Sequence, residues 1–218
     1  MQLARLPPGV LDGVEACLAG GAFRALLHAP PAPAPRDLDL WPRTSRDEAT
    51  LLRRLAPHAT RVRPGRWNTR LQLACGLEVD VVRARGRGLQ ETVAQSDIAL
   101  AAVGARVRRP GTGEAATADD EDDVVVHPAA LSSLEARQLL LLPGALEGVN
   151  TLGTAERLLR YARELRWPRP IDALRQLEAA FRDAAPERRA ALLKAYHSTS
   201  LGGEDAAELA RLFGLDTE

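Results

Sequence analysis

The sequence predicts a mixed α/β (α+β) fold, a small mixed sheet followed by an all-helical C-terminal part. Short alternations of apolar and polar residues, separated by glycines, run through residues 37–83 and are typical of β-strands. From Pro128 onward the apolar residues recur at helical spacing instead. We therefore expect a first, palm-like domain over residues 1–127 and a helical domain over residues 128–218.

The composition is that of an ordinary globular protein. Of the 218 residues, 45% are hydrophobic and 27% charged, which excludes a disordered chain and a collagen-like chain. The 29 basic and 29 acidic residues cancel, so the chain is not one that coats nucleic acid through its net charge. Lys194 is the single lysine, and without a Gly-Lys-Ser/Thr loop an ordinary P-loop NTPase is excluded.

The charge is unevenly distributed along the chain. Between Arg53 and Arg109 there are twelve arginines and four acidic residues. This excess is either a solvated basic face or a local field that attracts phosphates, and charge alone does not decide between them.

Cysteine usage and the N-terminus indicate a compartment. Cys17 and Cys75 lie in apolar contexts without CxxC spacing, so we expect two buried, reduced thiols. Residues 1–10 carry no signal pattern, and no apolar stretch approaches about 20 residues. We expect a cytoplasmic protein that does not enter a membrane.

The first half of the chain is expected to alternate helices and strands. Apolar spacing predicts a short helix over residues 9–19, and a second helix start over residues 22–28. Four prolines within residues 29–35 exclude regular structure, and we interpret this loop as an insertion rather than a lid. A helix over 45–55 is expected to begin at Ser45, with Glu48 completing a capping box. Strands are predicted over residues 36–41, 60–63, 67–74, 77–83 and 97–103.

The second half is expected to begin with a polar excursion over residues 111–123. Its five consecutive acidic residues, 119–123, are interpreted as a solvated loop, with a metal-binding loop as the alternative. Beyond it, helices are predicted over residues 154–166, 172–183, 186–197 and 204–213.

Two aspartates on one strand could bind a cation. Asp37 and Asp39 are two residues apart, so their side chains project from the same face, roughly 7 Å apart at the backbone. Two such carboxylates repel unless a cation lies between them, and Mg²⁺ prefers carboxylate, water and phosphate oxygens. The alternative is an exposed strand edge.

A third carboxylate and a pair of glycines could complete the site. Asp80 interrupts an apolar strand and would form a triad with the two aspartates if its strand lies beside theirs; Glu78 shares its face and could substitute. The alternative is an Asp on a solvent-exposed sheet face. Gly20 and Gly21 at a helix start would let backbone amides approach an anion, although such a pair is often only a turn.

These residues, in this order, resemble a known family. Gly20-Gly21-Ala22-Phe23-Arg24 followed by Asp37-Leu38-Asp39-Leu40 is similar to the GG…R…DxD signature of the polymerase-β-type nucleotidyltransferase superfamily. The resemblance is closest to the head domain of tRNA CCA-adding enzymes and bacterial poly(A) polymerases. Residues 96–102 stand in the place of the RRDFTINA motif, and residues 157–167 resemble the RxLRxxRFxxxLGF helix. The resemblance covers about residues 10–167.

The resemblance implies a nucleotidyltransferase fold and an activity. A nucleoside monophosphate would be moved from an NTP such as ATP to a hydroxyl of an RNA 3′ end, tRNA included, or of a protein side chain. Asp37, Asp39 and Asp80 would be catalytic and would hold two Mg²⁺ ions. The nucleotide would be bound by Gly20, Gly21, Arg24, Asp97, Arg157 and Arg160.

The sequence also departs from the family. The arginine pair of the RRDFTINA motif is Gln95 and Ser96 here, and only 51 residues follow Trp167, too few for the neck, body and tail that hold tRNA. We therefore expect a compact stand-alone member, like those of phages and mobile elements, and not CCA addition itself. Two alternatives stay open: a catalytically silent relative acting as an interaction or antitoxin-type protein, and a nuclease or phosphatase using the same carboxylates.

Overall fold

A computed structural model describes residues 2–23, 37–107, 124–200 and 202–215. The chain divides into two compact units. The first comprises Met1–Gln95 and Ala101–His127, and the second comprises Ser96–Leu100 and Pro128–Glu218. A mixed sheet in the first unit and helices in the second confirm the predicted fold class, whereas the roles assigned to the two domains stay predictions.

The described part of the first unit is built on a seven-stranded sheet with the order β3-β4-β5-β2-β1-β6-β7. Strands β2 and β5 are parallel, and every other neighbouring pair is antiparallel. The β3–β4 hairpin therefore lies at one edge, and β2 and β5 lie inside. The strands are β1 (Ala16–Ala19), β2 (Asp37–Pro42), β3 (Ala59–Pro64), β4 (Asn68–Leu73), β5 (Glu78–Val82), β6 (Val103–Val107) and β7 (Val124–Val126).

Helix α1 (Ser45–Leu55) packs Leu51 and Leu55 into the core, both with 0% exposure. Its predicted extent is confirmed, but its predicted cap is wrong. Thr44 is the N-cap: its hydroxyl accepts from the Asp47 amide at 3.1 Å, and the Asp47 carboxylate accepts from the Thr44 amide at 3.2 Å. Glu48 takes no part in the cap, and its carboxylate accepts a hydrogen bond from the Arg83 side chain at 3.0 Å.

Helix α2 (Leu89–Ala94) packs closely against β6. A Cβ on Gly104 would lie 2.8 Å from the side chains of both Leu89 and Val93, so a larger residue would force these side chains or the helix to shift.

The second unit is a helical domain with its own apolar core. Leu158, Leu177 and Leu209, from three different helices, have 0% exposure. The four helices predicted from apolar periodicity are confirmed, the first beginning three residues earlier than predicted. The helices are α3 (Pro128–Ala136), α4 (Gly144–Glu147), α5 (Thr151–Leu165), α6 (Ile171–Arg182), α7 (Pro186–Thr199) and α8 (Gly203–Phe213).

Two predicted elements are wrong. The apolar residues of 9–19 are buried, but Gly9 and Gly13 have φ of +77° and +63°, so turns replace a helix before β1 begins. In place of a strand over residues 97–103 there is a short 3-10 helix at Ala99–Ala101, and the strand begins only at Val103. The start expected over residues 22–28 is a 3-10 helix at Gly20–Phe23; residues 24–28, the proline-rich segment and the acidic run lie outside the described residues.

The cysteine prediction is correct for only part of the pair. Both thiols are free, but Cys75 is exposed because it lies in the turn at Gly76. Cys17 is half-buried, and burial raises the pKa of its thiol. Among the described residues, no helix is long and apolar enough to span a membrane.

Candidate active site

The register of two strands brings four carboxylates to one face of the sheet. In the parallel pair β2–β5, Asp37 lies opposite Glu78 and Asp39 lies opposite Asp80. Directly opposed residues share a face, so all four side chains project together, while the alternating Leu38 and Leu40 point into the core with at most 1% exposure. The condition set from the sequence, that the Asp80 strand lies beside the Asp37 strand, is met.

Three of the four carboxylates are close enough to share an ion. Carboxylate oxygens of Asp37, Glu78 and Asp80 lie within 4.8 Å of one another, the one such group found among the described residues. We call these three the acid set. Glu78, predicted as a possible substitute, takes the place in this set that was expected for Asp39.

Asp39 faces the glycine turn instead. It pairs in register with Ala19, the last residue of β1, and Gly20 follows with φ of +86°. A Cβ on Gly20 would lie 3.1 Å from Oδ2 of Asp39. Glycine is therefore required both for the left-handed backbone and for the close approach of the turn to this carboxylate. Gly21 continues the same turn within the 3-10 helix.

The structure adds one residue that sequence reasoning missed. Arg70 of β4 pairs in register with Asp80, and its guanidinium forms a fork with that carboxylate: Nε donates to Oδ1 at 2.9 Å and Nη2 to Oδ2 at 2.7 Å. Its Nη1 lies 3.2 Å from Oε1 of Glu78. The hydrogen bonds to Asp80 raise the pKa of Arg70 above its usual range, and the charges of Asp80, Glu78 and Asp37 add to the effect.

The one sequence feature that could have indicated Arg70 is its position in the alternation of β4. It lies inside a strand whose alternate residues, Thr69 and Leu71, are buried, so it had to project from the opposite face, the one that carries the carboxylates. Parity alone could not name its partner.

The acid set fits an oxygen-preferring divalent cation in its chemistry. Its donors are all carboxylates, which suit Mg²⁺, and three carboxylates this close need a positive charge beside them. In this structure Arg70 supplies that charge. A divalent cation would fit once the guanidinium releases Asp80 and Glu78, so the residues fit the ion in competition with Arg70.

Two predicted nucleotide-binding residues contact each other in the second unit. The Arg157 guanidinium and the Thr154 hydroxyl of α5 both donate to the Asp97 carboxylate. The Asp97 carbonyl accepts from the Leu142 amide at 2.9 Å. These contacts tie segment 96–100 to the helical unit.

Arg160 and Arg24 are the other two arginines predicted to bind the nucleotide. Arg160 lies on α5 with its guanidinium carbon 5.5 Å from the Tyr161 ring. Its buried Nε has no hydrogen-bond partner within the described part of the chain. Arg24 lies outside the described residues.

Comparison with known proteins gives a fold and no closer relationship. No protein-family model matches the sequence, and no curated protein matches it either. Among solved structures, a CCA-adding enzyme complexed with CTP is 13% identical over 98% of this chain and 53% of that one, with a TM-score of 0.57. A tRNA nucleotidyltransferase bound to a primer tRNA and an ATP analogue is 19% identical over 93% and 57%, with a TM-score of 0.54.

A third neighbour extends the same result. The CCA-adding enzyme of Thermotoga maritima in complex with tRNA is 14% identical over 93% of this chain and 47% of that one, with a TM-score of 0.54. The chain spans about half the length of these enzymes. The likeness confirms at the level of the fold the resemblance to a polymerase-β-type nucleotidyltransferase head domain.

Proposed function

We propose that the protein is a metal-dependent nucleotidyltransferase that moves a nucleoside monophosphate from an NTP to a hydroxyl acceptor. The observation that carries the proposal is the β2–β5 register, which sets Asp39 opposite Asp80 and Asp37 opposite Glu78 beside the Gly20 turn. The fold shared with tRNA nucleotidyltransferases supports the same chemistry.

The carboxylates of the acid set and Asp39 would hold Mg²⁺, one ion or two. The metal supplies charge neutralisation for the phosphates and lowers the pKa of the attacking hydroxyl. Asp80, once Arg70 releases it, would accept the proton of that hydroxyl. The backbone amides of the turn at Gly20 and Gly21 would hold the phosphates that leave as pyrophosphate. Arg70, on releasing Asp80, can pair its fork with phosphate oxygens.

The proposal is tested by label transfer. The protein is incubated with each α-³²P-labelled NTP, Mg²⁺ and total RNA or protein extract, and transfer to a macromolecule is measured. We expect transfer that is lost in the double variant Asp37→Ala/Asp39→Ala and kept in Asp172→Asn, whose carboxylate is 91% exposed on α6. Transfer that survives the double variant would refute the assignment of the site.

A second candidate is a catalytically silent relative, and Arg70 favours it. A guanidinium that already bonds Asp80 and Glu78 offsets part of the charge of the acid set without any metal. The two candidates differ in metal binding: Mn²⁺ titration followed by electron paramagnetic resonance should show saturable binding for the enzyme. No Mn²⁺ binding and no label transfer together would establish the silent relative.

A further inference from the structure

The β3–β4 hairpin presents a concentrated basic surface. Residues 59–67 and 83–87 contain six arginines and no acidic residue. Two of the six have partners within the protein: Arg83 pairs with Glu48 at 3.0 Å, and Arg87 contacts Gln95. Within the described residues, no ion pair involves the other four, and all four are exposed: Arg61, Arg63, Arg66 and Arg85.

Trp67 lies at the centre of this surface. Its side chain is 44% exposed, although a tryptophan of a strand hairpin would ordinarily be buried. The guanidinium carbons of Arg66 and Arg85 each lie 4.7 Å from the indole ring centroid. Both distances are those of cation–π contacts, so the two guanidinium groups lie against the indole ring.

The hairpin is held rigidly to the sheet. The Gly65 amide donates to the Asn68 carbonyl at 2.7 Å and closes the turn, and the Arg83 amide donates to the Trp67 carbonyl at 2.8 Å. These hydrogen bonds hold the backbone at Gly65, Trp67 and Arg83, next to the residues of the arginine–tryptophan stack.

The edge strand carries the same charge toward the acid set. Arg63 pairs in register with Arg70, which pairs with Asp80, and Arg61 pairs with Gln72 in the neighbouring row. The two edge arginines therefore share the face of the carboxylates; Arg63 lies two strands from Asp80 and Arg61 two strands from Glu78, each about 10 Å away at the backbone.

We propose that Arg61, Arg63 and the stack of Arg66, Trp67 and Arg85 form a docking surface for a single-stranded nucleic acid. The arginine forks pair with successive phosphates, and the partly exposed indole and the guanidinium planes held against it offer a π surface to a base. The combination of exposed arginines and a partly exposed indole favours a nucleic acid over an acidic protein, because carboxylates would pair with the arginines alone, whereas a nucleotide also brings a base to the aromatic surface. The inference that the bound nucleic acid supplies the hydroxyl acceptor to the acid set rests on the proposed function. The inference that this surface binds a nucleic acid does not.

The test measures binding without metal or NTP, so it is independent of catalysis. Fluorescein-labelled 15-nucleotide RNA and DNA strands of mixed sequence are titrated in EDTA, and fluorescence anisotropy gives Kd at several salt concentrations. The test variant carries Gln at Arg61, Arg63, Arg66 and Arg85. The control variant makes the same change in charge at exposed arginines elsewhere, at Arg46, Arg53, Arg175 and Arg211.

We expect the test variant to bind at least tenfold more weakly and its salt slope to flatten by about 3, since each lost phosphate contact contributes about 0.7 for a single strand. Trp67→Leu should weaken binding about fivefold or more by removing the stack. The control variant should stay within about twofold of the parent. RNA bound more tightly than DNA would identify an RNA acceptor strand, and equal binding would identify a general single-strand surface.

Three results would overturn the proposal: no binding by the parent protein, equal losses in the test and control variants, or an unchanged Kd for Trp67→Leu. Circular dichroism melting of each variant separates these results from misfolding. Weak RNA binding together with intact label transfer would refute the docking surface alone. Tight RNA binding without label transfer would refute the proposed function alone.

Discussion

Arg70 and Asp80 face each other across two antiparallel strands and are joined by two hydrogen bonds, of 2.9 and 2.7 Å. The carboxylate is buried, with a side-chain exposure of 6%, whereas the guanidinium is 38% exposed. The more accessible partner is thus the one that can leave, and its departure would open Asp80 and Glu78 to another cation.

This relationship predicts the effect of Arg70→Met. Without a positive charge the acid set repels itself, so the free energy of unfolding in EDTA should fall by about 1–2 kcal/mol, a value discounted because Arg70 is partly exposed. Mn²⁺ or Mg²⁺ should then restore more stability to the variant than to the parent, because the ion no longer competes with the guanidinium. Urea unfolding with and without the ion measures both effects.

The matched control is Arg175→Met. Arg175 is 74% exposed and lies 3.8 Å from Asp172 on the helix surface, so its loss should change the free energy of unfolding by less than about 0.5 kcal/mol. A metal response in Arg70→Met no larger than in the parent would show that Arg70 does not compete for the acid set.

Gly20 gives a second prediction, with a control built into the chain. Gly20→Ala should lose about 1–2 kcal/mol from its positive φ of +86° and should also displace Asp39, because its Cβ would lie 3.1 Å from Oδ2. Gly13→Ala has a comparable φ of +63° but meets no atom within 4 Å. Both variants should lose stability in urea unfolding, and only Gly20→Ala should weaken binding of Mn²⁺ and NTP. Equal binding in the two would remove Gly20 from the site.

The sequence was sufficient to predict which carboxylates share one face of the sheet, but not to predict that Arg70 is their positively charged partner. Alternation in β2 and β5 fixes which side chains share a face, so Asp37, Asp39 and Asp80 could be grouped before their strands were seen to pair. Arg70 lies among many arginines of one stretch, and only the register of β4 against β5 reveals that it meets Asp80.

The missed elements have a similar cause. Residues 9–19 show helical apolar spacing, yet two glycines with positive φ turn the chain, and burial of Val10 and Val14 is achieved without a helix. Around Asp97, Ser96–Leu100 belongs to the second unit although the chain on either side belongs to the first, and local periodicity cannot indicate this.

Asp97 gives a third prediction, which separates a structural role from nucleotide binding. Its carboxylate accepts from Arg157 and Thr154, with a side-chain exposure of 19%. Asp97→Asn should destabilise the helical unit by about 2 kcal/mol and speed hydrogen exchange at the Leu142 and Ala99 amides. If the variant exchanged like the parent and lost NTP binding instead, the family-derived assignment of Asp97 to the nucleotide would be favoured.

The last prediction concerns pH. Asp205 of α8 pairs with Arg163 at 2.6 Å, yet burial raises the pKa of its carboxyl above the ordinary value of 3.8, more than Arg163 lowers it. The folded state therefore binds the proton more tightly than the unfolded state. The contribution of Asp205 to the free energy of unfolding is greatest below pH 3.8 and declines as the pH rises through the raised pKa, after which it is constant.

Removing the carboxyl should remove this decline. The difference in free energy of unfolding between the parent and Asp205→Asn should become less favourable to the parent as the pH rises from about 4 toward neutrality. The control is Glu204→Gln, because Glu204 also contacts Arg163, at 3.3 Å, but is 90% exposed. Its difference from the parent should stay nearly flat over the same range in urea unfolding. A difference for Asp205→Asn that grows with pH in favour of the parent would mean that the ion pair with Arg163 outweighs burial.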